Sequence, residues 1–230
     1  MSYSTNLKAI VFGASGLTGS FVTNILAEDH RYEKVLLFVR NLLPLQNPKI
    51  SQIPYDPENP EGVADIIRGN HLFCCIGTTI KKAGSKASFY RTDHDLVLNI
   101  GRIAAANGVS SFVLISSIGA NPNSSNNYLR TKGAVENSLR RLNFNNLSIV
   151  RPSMLLGIRS EYRFGEEAGK FIMKIVQPLL IGKLKKYRGI HAATVAKAMI
   201  VAAFRENGIF VYESDRLEAL ANATDNPKRL

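Results

Sequence analysis

The chain lacks the features that mark membrane-anchored, secreted or metal-binding proteins. Across 230 residues no apolar run approaches the roughly 18 that a membrane-spanning helix requires. Cysteine is scarce: Cys74 and Cys75 are the only two, side by side in an apolar run. Such a pair speaks for plain packing in a reduced compartment and against a metal centre or thiol redox chemistry. There is no internal repeat and no low-complexity linker, and the first apolar strand begins too early to leave room for a signal peptide. These absences predict a single domain over residues 1–230, cytoplasmic, with no membrane partner and no metal.

Acidic residues are the minority. Lys and Arg number 29 against 18 Asp and Glu, a formal net charge of +11. The basic residues are spread along the chain, and the densest group, Lys183, Lys185, Lys186 and Arg188, has only Tyr187 as aromatic company. That favours a solvated basic face, partly serving a phosphate-bearing cofactor, over nucleic-acid binding. Hydrophobic residues make up 45% of the chain, enough to bury a full core at this length.

What is present begins at Ala9-Ile10-Val11-Phe12, a buried strand that runs straight into Gly13-Ala14-Ser15-Gly16-Leu17-Thr18-Gly19. Phe21, Val22, Ile25 and Leu26 then recur at helical spacing. Strand, glycine turn and helix together form a dinucleotide site. Gly13 allows the tight turn, Gly16 the close approach of backbone to a pyrophosphate, and Gly19 the packing of helix on sheet. The helix N-terminus, with Ser15, Leu17 and Thr18 around it, faces the phosphates. The spacing is GxxGxxG rather than GxGxxG.

The following strands read as apolar runs at Lys34–Val39, His71–Ile76, Phe112–Ile115 and Leu147–Arg151, with a short one over Lys49–Asp56 and a last at Gly208–Tyr212. Between them lie helices over Gly62–Arg68, Asp93–Ala106, from Tyr128, and Val195–Phe204. The pattern predicts a doubly wound, mostly parallel α/β sheet. A small helical lobe over 157–190 sits on its substrate side, and the polar stretch from Asn222 frays. Arg40 ends the second strand, and no Asp or Glu lies between Lys34 and Tyr55. An acid there would accept hydrogen bonds from a free ribose 2′-hydroxyl, whereas arginine complements a 2′-phosphate, so NADP is expected over NAD. Asp56 either reaches the adenine or serves a turn. Gly77-Thr78-Thr79 ends the fourth strand in the ligand crevice, and Lys81, Lys82 and Lys86 either border that crevice or face solvent. His94 and Asp95 read as polar residues at a helix start.

Ser116 and Ser117 end the fifth strand, and Tyr128 and Lys132 share one face of the next helix. A tyrosine with an ordinary pKa of about 10 is too weak a proton carrier at neutral pH. An ammonium one turn away favours the phenolate, and a serine hydroxyl across the cleft can hold a carbonyl oxygen. The glycine loop, Ser116-Ser117 and Tyr128-xxx-Lys132 resemble the short-chain dehydrogenase/reductase superfamily in its atypical branch. Four further segments resemble the Tat-interacting-protein oxidoreductase family of small NADPH-binding proteins: Phe73–Thr79, Asp93–Asp95, Tyr128–Glu136 and Arg151–Gly157. The resemblance implies NADP in the crevice, with Arg151 and Pro152 beside it, and Tyr128 as proton donor supported by Lys132 and a serine. Ser117, followed by Ile-Gly, fits the superfamily pattern better, while strand alternation leaves Ser116 open. It implies an NADPH-dependent oxidoreductase acting on a small carbonyl-type molecule, as a monomer or homodimer. A sensor of NADP redox state, as in NmrA-like proteins, is the alternative. Unlike the larger sugar-nucleotide epimerases, residues 1–230 are not expected to form a large C-terminal substrate domain.

Overall fold

The computed structural model describes residues 6–157 and 182–223. Seven parallel strands make the main sheet: β1 (Leu7–Phe12), β2 (Tyr32–Val39), β3 (Ile50–Pro54), β4 (His71–Cys74), β5 (Ser111–Ile115), β6 (Asn146–Arg151) and β9 (Gly208–Glu213), in spatial order 3-2-1-4-5-6-9. Two residues each of β7 (Leu155–Leu156) and β8 (Ile190–His191) pair separately. The central strands are apolar without a break because both faces are covered. Ala9 and Val11 point into one core layer with Leu37, Phe73 and Val113, while Ile10 and Phe12 point into the other with Phe38, Leu72 and Phe112. On the first side lie α1 (Leu17–Glu28), α6 (Ala192–Ala203) and α7 (Ser214–Ala223). On the second lie α4 (Leu96–Ala106) and α5 (Asn127–Leu139).

The strand order reverses between β1 and β4, which is where open α/β sheets hold ligands. The two loops leaving these strands touch: Cys75 N donates to the Phe12 carbonyl at 2.8 Å. Gly13 has φ +81°, and a Cβ there would sit 2.6 Å from the Cys75 backbone. A Cβ on Gly19 would overlap the Gly13 carbonyl, so the glycines hold α1 against the sheet edge as their spacing predicts.

The structure departs from the sequence reading in four places. The stretch Pro60–Ile66 is a 3₁₀ helix. The supposed loop around Lys81–Lys86 contains two short helices, α2 (Ile80–Ala83) and α3 (Lys86–Tyr90), whose N-termini are capped by Thr79 and Ser85. Their polar composition has no apolar period, but each cap satisfies an otherwise orphaned backbone N–H. From α3 the chain passes through a π turn, Arg91–Asp95, into α4, so His94 and Asp95 lie within a continuous helical path and not at its start. Helix α7, which the sequence reading did not propose, buries Leu217, Leu220 and Ala221. Of the lobe proposed over 157–190, residues 158–181 lie outside the described residues, and Gly182–Tyr187 form a 3₁₀ turn. The part of the polar end from 224 also lies outside them.

Candidate active site

The glycine loop meets the physical requirements of a phosphate cradle. Ser15 and Gly16 are exposed at its top, and Gly16 N donates to the Gly13 carbonyl at 3.0 Å. No side chain caps α1 at Gly16, and no acid lies in its first turn, whereas α2, α3 and α5 each receive a side-chain cap. The Thr18 hydroxyl is buried without a hydrogen-bond partner. An uncapped helix N-terminus beside an orphaned hydroxyl suits an anion, so the residues present fit the diphosphate of a dinucleotide. Leu17 packs beside Gly157, whose Cβ would meet the leucine methyl at 3.0 Å. Arg40 lies exposed just past the carboxyl end of β2. Asp56 accepts from Glu58 N at 2.9 Å, an Asx turn that closes the end of β3.

Across the switch point the chemistry converges on Lys132. Asn126 caps α5 by accepting from Tyr128 N and Leu129 N, which starts the helix so that Tyr128 and Lys132 are one turn apart. Lys132 Nζ is 2.7 Å from Asp93 Oδ1, with side-chain exposures of 4% and 0%. Burial is the largest influence on Lys132 and pulls its pKa down. The charge of Asp93, the nearby Tyr128 and the Asp93 hydrogen bond together outweigh it, so the pKa is raised and the ammonium is secure. Asp93 Oδ2 also accepts from Thr78 N at 3.0 Å, tying Gly77-Thr78 to the same carboxylate. The Thr79 hydroxyl is occupied in capping α2.

Asp93 stands in the π turn, a rare geometry that recurs at functional sites. From there its carboxylate meets Lys132 on α5. Asp93 is one of two residues the sequence reading missed: the segment Asp93–Asp95 stood out by resemblance, but no role attached to it. Its neighbour His94 is a packing residue, bonded through Nδ1 to Asp95 at 2.8 Å and through Nε2 to Ser138 at 3.2 Å, and stacked on Tyr90.

The two serines part company. Ser116 is buried and donates to Glu136 Oε1 at 2.5 Å. Glu136 in turn receives Arg151 Nε at 2.9 Å and a second guanidinium bond through Oε2 at 2.5 Å, a bidentate pair that raises the Arg151 pKa. Both Ser116 and Arg151 are thus engaged by a carboxylate on α5, the second residue the sequence reading overlooked. Tyr128, Lys132 and Glu136 recur every fourth position, so Glu136 was readable as a member of the inward face. Ser117 is half-buried, with only a long bond from its hydroxyl to the Ile118 carbonyl at 3.3 Å. Pro152 anchors this turn by accepting from Ile118 N at 3.0 Å. Tyr128 is half-buried and its ring stacks on Phe89, centroids 5.6 Å apart.

Two features outside the site bear on earlier expectations. Burial pushes the Cys74 thiol up to about 12, which suits an inert packing residue. In the basic group near the C-terminal side, Lys186 lies 2.8 Å from Glu213 and Lys185 3.8 Å from Glu218. No helix among the described residues is long and apolar enough to cross a membrane.

The chain is similar to known proteins. A family model described as NAD(P)H-binding matches residues 13–203. Protein HTATIP2 of Rattus norvegicus is 34% identical over 222 residues, covering 94% of this chain and 87% of the relative. The Candida glabrata protein named "FMP52, mitochondrial" is 33% identical over 200 residues, 86% of this chain and 85% of the relative. Its Saccharomyces cerevisiae namesake is 27% identical over 234 residues, 94% and 97% of the two chains. Among solved structures, WbmH of Bordetella bronchiseptica in complex with NAD+ superposes with a TM-score of 0.69 at 16% identity, covering 98% of this chain and 83% of that one. The UDP-N-acetylglucosamine 4-epimerase of Methanobrevibacter ruminantium gives 0.68 at 17%, covering 91% and 77%. At such identities the superpositions speak for the fold alone.

The expected cytoplasmic location does not stand, because the yeast relatives are named as mitochondrial proteins. Free cysteines speak to a redox condition and carry no address, so they gave no ground for choosing that compartment. The family model spans most of the chain and HTATIP2 is alike over nearly all of it. The protein therefore belongs to the NAD(P)H-binding family and, within it, to the family of HTATIP2, the Tat-interacting protein.

Proposed function

We propose that the protein is an NADPH-dependent oxidoreductase that reduces a small carbonyl-type substrate, the reduced nicotinamide supplying hydride to the carbonyl carbon. The observation that carries this reading is the buried Lys132 ammonium, held by Asp93 one helical turn from Tyr128. A charge kept in so dry a place needs a use, since burying an ion pair by itself adds little stability. Here it stands one helical turn from the Tyr128 hydroxyl, which gives its proton to the carbonyl oxygen. Ser117 donates a hydrogen bond to the same oxygen and fixes the substrate's angle. Lys132 also presents donors to the nicotinamide ribose. Asp93 is a positioning residue: it acts through Lys132 and, by way of Thr78 N, through the loop after β4. Glu136 and Arg151 hold β5, α5 and β6 in register, with Ser116 bonded to the same carboxylate.

For the cofactor, Gly13, Ser15, Gly16, Leu17, Thr18 and Gly19 enclose the diphosphate, Gly77 to Thr79 and Pro152 flank the nicotinamide half, and Arg40 meets the 2′-phosphate. Arg151, beside Pro152 at the end of β6, is also paired with Glu136.

The test uses the full chain with NADPH and a panel of small aldehydes, ketones and quinones. Tyr128→Phe leaves NADPH affinity unchanged and lowers turnover about 10²–10⁴-fold, the scale of a lost general acid. Lys132→Met weakens both. A panel with no turnover, together with tight NADPH binding indifferent to Tyr128→Phe, would overturn the enzyme reading and leave a cofactor sensor.

A further inference from the structure

Outside the cofactor crevice, a groove of about 470 Å³ opens between α3 and α5. Its lining is mostly apolar, with Phe89, Tyr90, Pro122 and Ala134 among it, and it carries two cations, Lys86 and Arg130. It contains no carboxylate. Among the described residues Lys86 has no acidic partner. Among the described residues the Arg130 guanidinium meets only neutral acceptors, the carbonyls of Ser124 and Ser125 and the Asn127 side chain, and no carboxylate pairs with it.

The surroundings share this bias. Between residues 80 and 145 there are nine Lys and Arg against three Asp and Glu, which supplies six of the eleven net positive charges. Two of those three acids, Asp93 and Glu136, are buried in ion pairs. Basic residues spread along the sequence are therefore gathered by the fold, because α4 and α5 pack on one side of the sheet, the π turn packs on both of them, α3 on the π turn and α2 on α3.

We propose that this groove binds an amphipathic organic anion, a flat apolar body bearing a phosphate or carboxylate, at a site separate from the cofactor crevice. The aromatic floor takes the body and Lys86 and Arg130 take the charge. The volume suits a small molecule. The floor residue Phe89 is the ring stacked on Tyr128, and Thr131 precedes Lys132 on α5. An occupant thus braces the far side of the Tyr128 ring without entering the cleft in front of it. The same chemistry is offered by a free phosphorylated or carboxylated metabolite and by the headgroup and glycerol end of an acidic lipid.

The experiment titrates 1-naphthyl phosphate into the full chain saturated with NADP and follows binding by calorimetry. Binding proceeds with NADP present and weakens as salt rises. Lys86→Ser and Arg130→Ser each weaken it about three- to tenfold, the range of one exposed charge contact. Ala134→Phe, which fills the floor and leaves every charge in place, abolishes it. Inorganic phosphate and 1-naphthol, each half of the probe, bind far more weakly. Competition by vesicles of phosphatidylglycerol in phosphatidylcholine, absent with pure phosphatidylcholine, supports the site with a lipid as its source; no competition supports it with a free metabolite. Displacement of the probe by NADP would place it in the cofactor crevice and overturn the proposal. Undiminished binding in the Lys86→Ser, Arg130→Ser double variant would do the same. So would a concentration-dependent dimer, seen by sedimentation, that excludes the probe from this face.

Discussion

Asp93→Asn isolates the charge at the centre of the site. Asparagine keeps the shape and still offers an oxygen to Thr78 N, so the 3.0 Å bond that holds the loop after β4 survives. What disappears is the negative charge 2.7 Å from Lys132 Nζ, in a pair whose members are 4% and 0% exposed. Removing one partner of a buried ion pair costs about 3–5 kcal/mol. For a chain of this length each kcal/mol lowers the melting temperature by about 2–4 °C, so a loss of about 6 °C or more is expected at neutral pH. The pH dependence separates charge from packing. In the native protein the Lys132 pKa is raised, so its contribution to stability is fully present below the unfolded lysine value of about 10.4 and fades only above it. In the variant, burial, the largest influence, outweighs what remains from Tyr128 and depresses that pKa. The folded state then binds fewer protons than the unfolded chain, and stability climbs with pH towards about 10. Paired thermal melts from neutral to mildly alkaline pH therefore show a deficit that narrows as pH rises. A variant that melts with the parent at pH 7, or whose deficit stays constant across the series, would refute the reasoning.

Three more outcomes follow from the geometry. Arg40→Asp removes or reverses a preference for NADPH over NADH, since a charge-assisted contact worth about 1.5–3 kcal/mol becomes a repulsion; equal affinities in the parent, measured by calorimetry, would contradict the role given to Arg40. Glu136→Gln leaves the half-buried Arg151 guanidinium without its carboxylate and lowers stability by about 1–3 kcal/mol in urea unfolding, with little change in cofactor affinity. Gly13→Ala meets both a positive φ and a Cβ 2.6 Å from the Cys75 backbone, so it yields little soluble protein, whereas Gly84→Ala, at a similar φ with open space around it, folds with a modest loss of stability.

The parts legible in the sequence were those whose cause is local. Ala9–Phe12 running into Gly13 showed a strand, and Gly13, Gly16 and Gly19 showed a turn and a close helix. In each case the residue itself dictates the backbone. Tyr128 and Lys132 were legible because helical spacing puts them on one face. Asp93 was not, because its function depends on a partner far along the chain and on a π turn that no local periodicity signals. Thr79 and Ser85 each start a short helix by a single hydrogen bond, in a polar stretch where a search for apolar repeats finds nothing. Alternation along β5 could not rank Ser116 and Ser117. Their difference lies in Glu136, which the fold brings up beneath Ser116 from α5.

The π turn at Arg91–Asp95 also limits how this protein can vary in length. A π turn amounts to one residue more than the regular helix would hold, and each residue of an α-helix turns the chain by about 100°. Deleting a single residue there would let the segment relax into ordinary helix while rotating everything before it by more than a quarter turn about the α4 axis. Phe89 would leave the Tyr128 ring, and the loop that Thr78 ties to Asp93 would be drawn out of step with α5. One residue of apparent slack thus sets the phase between two halves of the site, and an alignment gap at this point in a relative would signal a differently built centre even where Tyr128 and Lys132 are kept.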